Sequence, residues 1–493
     1  MKTLTRSTVA LVVFAAAASV LASDIPPRPE QLPFPPLTYT VPDGQALRVR
    51  LANGIPAYVA EDRLLPLITV QVYFRGGQYL EPAGKEGLAA LTGKVWRTGG
   101  AGALDAAAFD EELDFLAAQL STAVGETTGA VTMNVLAKDI DRGLELLLSL
   151  LRSPRFEQAR LDKAKEEFLA DMKRRNDDTA DIEEREWNRL LYGEGYFLNR
   201  LATKASVDAI TREDLLAFHG QLARPANFVV AVAGDFDRKA MIAKLNATLG
   251  AWKGGGSAVP PVPQPNFQPK PGVYLVNKSD VNQARVSIGH LAAKRPFADE
   301  FPMVVGNDIY GGGGFTAWLM SKVRSDEGLT YGAYSGFEIG TFYPGTFRAY
   351  LQTKSSTCAR ATKLTIELME KLRRGEITEQ ELATSVNSFI ETLPRTFETK
   401  VRTVSRFAQD ELEGMPRDYW QTYRDKMRAV NVAAIKEAAQ RFIKPDALVI
   451  LVVGNVEEIL KGHPDFPDVK LENFGPIVRL PLRDPMTLQP LTD

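Results

Sequence analysis

An arginine and a tyrosine stand seven positions apart in Ser321-Lys322-Val323-Arg324-Ser325-Asp326-Glu327-Gly328-Leu329-Thr330-Tyr331, between the run Gly311-Gly312-Gly313-Gly314-Phe315 and a strand-like stretch. A guanidinium offers a fixed fork of donors with full charge that also reaches peptide carbonyls, and a phenol donates one hydrogen bond. The plainer alternative pairs Arg324 with Asp326 or Glu327 at the surface and packs Tyr331 as a strand aromatic. Other chemistries find less support. The glycine run lacks the Gly-Lys-Ser/Thr of a phosphate loop and reads as a place where backbones approach and the chain turns before a helix carrying Trp318, Leu319 and Val323. There is no Gly-x-Ser-x-Gly, and Cys358 has no histidine near it in sequence. A catalytic zinc needs three converging ligands. The only histidines, His219, His290 and His463, form no i, i+4 pair and read as a helix-surface, a strand-end and a loop residue.

The elements that must carry these residues repeat. Pro225 precedes Gly234 by nine residues across the apolar run 228–233, and Pro445 precedes Gly454 by nine across 448–453. Each proline lies ten residues after a helical apolar position, Leu215 or Ile435, so a helix, a turn and a buried strand occur twice, 220 positions apart. Ile68–Phe74 and Ala284–Gly289 alternate as strands, while 105–120, 140–151 and 161–175 carry apolar residues at helical spacing. These patterns predict an α+β fold of two homologous sandwich halves, each a mixed, largely antiparallel sheet with helices packed on it. A Gly/Pro-rich linker at 253–272 separates a first half, 24–252, from a second, 273–493.

Residues 1–23 have the basic, apolar and small-residue regions of an export signal, which points to the periplasm in a Gram-negative host. The single cysteine excludes an intrachain disulfide. With 59 basic and 61 acidic residues, the chain has no net field to recruit nucleic acid or an anionic membrane, and no later stretch is apolar enough to span a bilayer.

The segment Gly311 to Tyr331 resembles the arginine/tyrosine signature in the second half of the pitrilysin/insulinase family of zinc peptidases. That family carries Gly-Leu-Ala-His-x-x-Glu-His on a helix of its first half. Here the sequence reads Gly87-Leu88-Ala89-Ala90-Leu91-Thr92-Gly93-Lys94. Ala90 and Lys94 stand at the two histidine ligands and Gly93 at the general base. The family's third ligand, a downstream glutamate, falls near Glu166, Glu167 or Asp171, read here as solvated helix charges, and Lys94 opposes a cation in its place. The resemblance implies no metal on this chain and transition-state roles for Arg324 and Tyr331. It further implies peptide contacts at Gly313 and Gly314 and along an edge strand at Ser121, Thr122 and Ala123. Small polar side chains at those three positions equally suit a surface turn. It implies a homologous metal-binding partner subunit that holds zinc, peptide substrates, and no activity for this chain alone. The leading expectation is therefore the non-metal subunit of an exported heterodimeric zinc endopeptidase. The alternative is a catalytically inactive binding or scaffold protein of the same fold, and a weaker one is an independent hydrolase with an unrecognised site.

Overall fold

The computed structural model describes Arg28, residues 31–32, 39–253 and 259–491. The expected export signal and the glycine-rich start of the linker, 254–258, lie outside the described residues. The compact unit from Val41 onward contains two six-stranded sheets.

The first sheet comprises β1 (Arg48–Arg50), β2 (Pro56–Glu61), β3 (Leu67–Arg75), β4 (Gln119–Val124), β5 (Thr128–Leu136) and β6 (Phe228–Gly234), in the order β1-β2-β6-β3-β5-β4. The second comprises β7 (Gly272–Asn277), β8 (Gln283–Leu291), β10 (Thr330–Phe337), β12 (Thr346–Lys354), β13 (Val449–Gly454) and β14 (Ile477–Leu480), in the order β10-β12-β8-β13-β7-β14. The short strands β9 (Ala293–Lys294) and β11 (Ile339–Gly340) pair with each other. Reading inward from the β4 and β10 edges, the sheets match strand for strand. β6 is parallel to β2 and antiparallel to β3, as β13 is parallel to β7 and antiparallel to β8. They part at the far edge, where β1 is antiparallel to its neighbour and β14, drawn from the chain's end, is parallel. The repeated Pro-to-Gly spacing marks β6 and β13, the strands buried on both faces, which is why their runs are continuously apolar rather than alternating.

The helices that matter below are α1 (Leu88–Thr98), α2 (Ala106–Phe115), α3 (Gln158–Lys173), α4 (Thr179–Tyr192), α5 (Arg212–Leu222), α6 (Glu300–Asn307), α7 (Lys400–Glu413) and α8 (Tyr419–Arg428). Each half keeps its own helices on one face of its sheet and receives one helix from the other half on the opposite face. From the first half, α4 lies on β8 and β13, burying Ile182, Trp187 and Leu191 against Val449, Leu451 and Val453. From the second, α7 lies on β2, β3 and β6. Both exchanged helices are fixed by charge. Glu411 accepts from Arg48 at 2.6 and 2.8 Å and from the Tyr58 hydroxyl at 2.8 Å, and Glu183 accepts from Ser287 at 2.5 Å beside Arg348. The described part of the linker is held by both halves, because Tyr79 and Tyr196 donate to the carbonyls of Pro260 and Pro263 and Gln264 donates to that of Phe342.

Candidate functional site

In the first half, α1 runs beside the edge strand β4. Its start is held by Glu81, whose carboxylate accepts the amides of Gly87 and Ala89 at 3.2 and 2.7 Å. Burial outweighs those bonds and raises the Glu81 carboxyl to about 7. A side chain at Gly93 would meet the Val124 amide nitrogen at 2.9 Å, so β4 occupies the space that a glutamate there would need. Thr122 donates its hydroxyl to the Gly93 carbonyl at 2.5 Å. The β4–β5 turn closes with the Gly125 amide on Thr128. Ladder bonds alternate along a strand, so Ser121 and Ala123 bond inward while Leu120, Thr122 and Val124 face the outer edge. There Arg97 donates to the Leu120 carbonyl at 3.1 Å. The side chains of Ser121 and Ala123 are exposed, and that of Thr122 is half-buried.

Ala90 is exposed on the same helix. Lys94 is ion-paired with Glu167 of α3, and the hydrogen bond from Lys94 holds the Glu167 carboxyl below its ordinary value. Glu167 is a solvent-exposed helix charge, as expected, and is also the partner of Lys94; Asp171, likewise exposed, pairs with Arg174 at 2.5 Å. An ammonium and two residues without donor side chains do not fit a zinc ion, and among the described residues no group of His, Cys, Asp and Glu could hold one.

In the second half, the corresponding helix passes from α6 into a π-helical stretch, Asp308–Gly312. A side chain at Gly311 would meet the Ser335 amide at 2.8 Å and Leu319 at 2.6 Å, so this glycine lets the helix press on the edge strand β10. The Gly313 amide closes the turn on the Asp308 carbonyl at 2.8 Å, and Gly314 adopts φ +63° with open space around it. Arg324 lies on a second π-helical stretch, Met320–Asp326, a geometry frequent at functional sites. Its guanidinium sits 4.8 Å from the centroid of the exposed Phe315 ring. Neither acidic neighbour pairs with it: Asp326 pairs with Lys322, and Glu327 with Lys322 and Arg360.

Tyr331 occupies a bulge. Thr330 faces Thr353 while Ala333 faces Leu351, which leaves Tyr331 and Gly332 opposite Gln352. Bulges re-aim side chains, and this one turns Tyr331 outward with 91% of its surface exposed. The Thr330 hydroxyl secures the bulge, accepting from the Gly332 amide at 3.0 Å and lying 2.7 Å from the Gln352 carbonyl.

The histidines take no part. His219 is buried, not on the helix surface as expected. It bonds the Leu151 carbonyl at 3.1 Å and packs edge-on against Trp96, and burial lowers it to about 4. His290, at the expected strand end, is also buried and accepts the Lys444 amide at 3.0 Å, while its other ring nitrogen is 2.9 Å from the Leu291 carbonyl. Sequence reasoning missed the Lys94–Glu167 pair, although a lysine at a ligand position was the available signal. It also missed Glu81, for which there was none.

Residues 209–389 match the family model described as the peptidase M16 inactive domain. The non-peptidase homolog YmxG of Helicobacter pylori is 25% identical over 405 residues, covering 81% of this chain and 92% of that protein. The crystal structure of the peptidase M16 inactive domain from Pseudomonas fluorescens superposes with a TM-score of 0.74 at 24% identity, over 83% of this chain and 97% of that one. The periplasmic protease PqqL from Escherichia coli gives 0.71 at 15% identity, over 82% of this chain but only 45% of that one. The fold, the edge-strand geometry and these matches together give the chain a pitrilysin-like fold in which residues 209–389 carry the peptidase M16 inactive-domain match.

Proposed function

We propose that the chain is the non-metal subunit of an exported two-chain zinc endopeptidase, contributing Arg324 and Tyr331 to substrate binding and transition-state stabilisation. The observation that carries this reading is the unspent state of those two groups. Tyr331 is aimed into open space by a bulge, and Arg324 has no ion pair among the described residues while both of its acidic neighbours are taken. Exposing a phenol on an irregular strand and leaving a guanidinium unpaired adds little to this chain's own stability. Both are what a site completed by another surface requires. Donors aimed at a developing oxyanion act mainly in the transition state, and the partner subunit would supply the metal. PqqL supports a missing complement, since this chain spans less than half of it. The periplasm is the compartment we assign. Extended peptides would contact Gly313 and Gly314, and the Ser121–Ala123 edge wherever Arg97 leaves it open.

Reconstitution with a homologous His-x-x-Glu-His chain tests this. Arg324→Ala and Tyr331→Phe should leave folding and pairing intact and lower kcat by ~10²–10³, about 3–4 kcal/mol of transition-state stabilisation. Arg324→Lys should rescue little. Turnover within threefold of wild type for both single variants removes the catalytic role. The name of the Helicobacter relative, a non-peptidase homolog, favours a second reading, an inactive scaffold of the same fold. Failure of the two chains to co-elute at micromolar concentration would select it.

A further inference from the structure

A cavity lies away from Arg324 and Tyr331, where the chain returns from the exchanged helix α7 to the second half through Gly414–Pro416. It encloses about 710 Å³ between that loop, the segment Arg295–Pro302 and the helix α8. That volume is in the range of small-molecule sites, as is a lining dominated by apolar and aromatic groups with a few polar ones. Phe297, Phe301 and Tyr419 form its aromatic wall, with the Phe301 and Tyr419 rings stacked 6.1 Å apart.

Its charges are unequally satisfied. Arg295 is spent on Glu300 at 2.6 Å, and the other oxygen of Glu300 accepts the Tyr419 hydroxyl at 2.9 Å. Lys426 is exposed, with its ammonium 5.8 Å from the Phe301 ring centroid. Glu413 is the exception. Its nearest cation, Arg406, is 3.9 Å away, beyond hydrogen-bond distance, and burial raises its carboxyl above the ordinary value. An anionic ligand would face a cation already committed and another already in solvent, whereas a cationic one would complete Glu413 and meet aromatic faces that attract positive charge.

We propose that this cavity binds a small molecule with an apolar, aromatic body and a protonated amine, the amine pairing with Glu413 and the body lying against Phe297, Phe301 and Tyr419. The site is independent of the Arg324/Tyr331 reading and stands or falls without the partner subunit. Isothermal titration of the mature chain at neutral pH with phenethylamine, 2-phenylethanol and 3-phenylpropionate tests it, because the three share one body and differ in charge. Phenethylamine should bind at least tenfold more tightly than either analogue. Glu413→Gln should abolish that preference, and Ala434→Phe should block all binding by filling the cavity, with circular dichroism confirming the fold. Absence of phenethylamine binding up to 10 mM, tighter binding of the carboxylate, or an amine preference that survives Glu413→Gln each overturns the proposal.

Discussion

The two halves place a helix glycine against the amide of an edge strand in the same way, Gly93 on Val124 and Gly311 on Ser335, yet they use the adjoining groups in opposite ways. In the first half every charge beside that contact is spent. Lys94 is paired with Glu167, Arg97 bonds the outer Leu120 carbonyl and Asp110, and Glu81 caps the helix. In the second half the Arg324 guanidinium stacks on an exposed ring and has no ion pair among the described residues, and the Tyr331 ring is turned outward. One fold thus holds a cluster of charges closed on itself and a pair of groups left unspent, and the difference is made by a few side chains and one bulge. Where a metal would need two histidines and a carboxylate, the first half has an ammonium already neutralised by a carboxylate, which removes both the ligands and the electrostatic reason for a cation to bind.

The comparison can be broken by experiment, beginning with the largest effect. Glu81 is the first half's buried anchor, and α6 in the second half has no side-chain cap. Its folded value near 7 lies above the ordinary 4.5, so the folded chain holds a proton that the unfolded chain releases. The stabilisation is complete below about pH 4.5 and is lost as pH rises toward 7. The loss is at most about 3 kcal/mol over that interval. Denaturant midpoints measured from pH 4.5 to 7.5 should fall, and Glu81→Gln should flatten that slope. An unchanged slope would show that Glu81 is not the group responsible.

Next come the two glycines. Alanine at either position gains helix propensity but places a methyl on the backbone of an edge strand, and overpacking of this kind costs about 1–3 kcal/mol. Gly311→Ala should be the more damaging, since it strikes Leu319 and the Ser335 hydroxyl as well as the Ser335 amide. A gain in stability for either variant would mean that the edge strand moves freely, and the symmetry drawn above would be accidental.

The smallest effect is expected at the exposed pair. Lys94→Met should leave stability unchanged within error, because surface ion pairs contribute little. By elemental analysis after dialysis, both Lys94→Met and the parent should hold far less than one zinc per chain. A tightly held equivalent in the parent would contradict the reading of α1.

Much of this architecture is legible in the chain itself. The doubled Pro-to-Gly spacing locates β6 and β13 because a central strand buried on both faces must be uniformly apolar. The substitutions at Ala90, Gly93 and Lys94 disqualify the metal motif by their chemistry alone. The glycine run reads correctly as a point of close backbone approach, since removal of a Cβ has few other uses in a helix pressed on a strand. What sequence could not supply are relations between distant residues. The exchange of α4 and α7 joins positions hundreds of residues apart, such as Arg48 with Glu411, and neither helix differs in pattern from one that packs on its own half. His219 has the spacing of a surface helix residue, and only the approach of Trp96 and Leu151 buries it. Lys94 and Glu167 are each ordinary surface charges until α1 and α3 lie side by side. Tyr331 differs from a packed strand aromatic only through a one-residue slip against β12, and that slip depends on where Thr330 finds its backbone partners. The residue types and their local periods were determined by the sequence, because they answer to the nearest turn of chain. Which charges are spent and which remain open was decided by the tertiary structure, because that depends on neighbours the chain acquires only by folding.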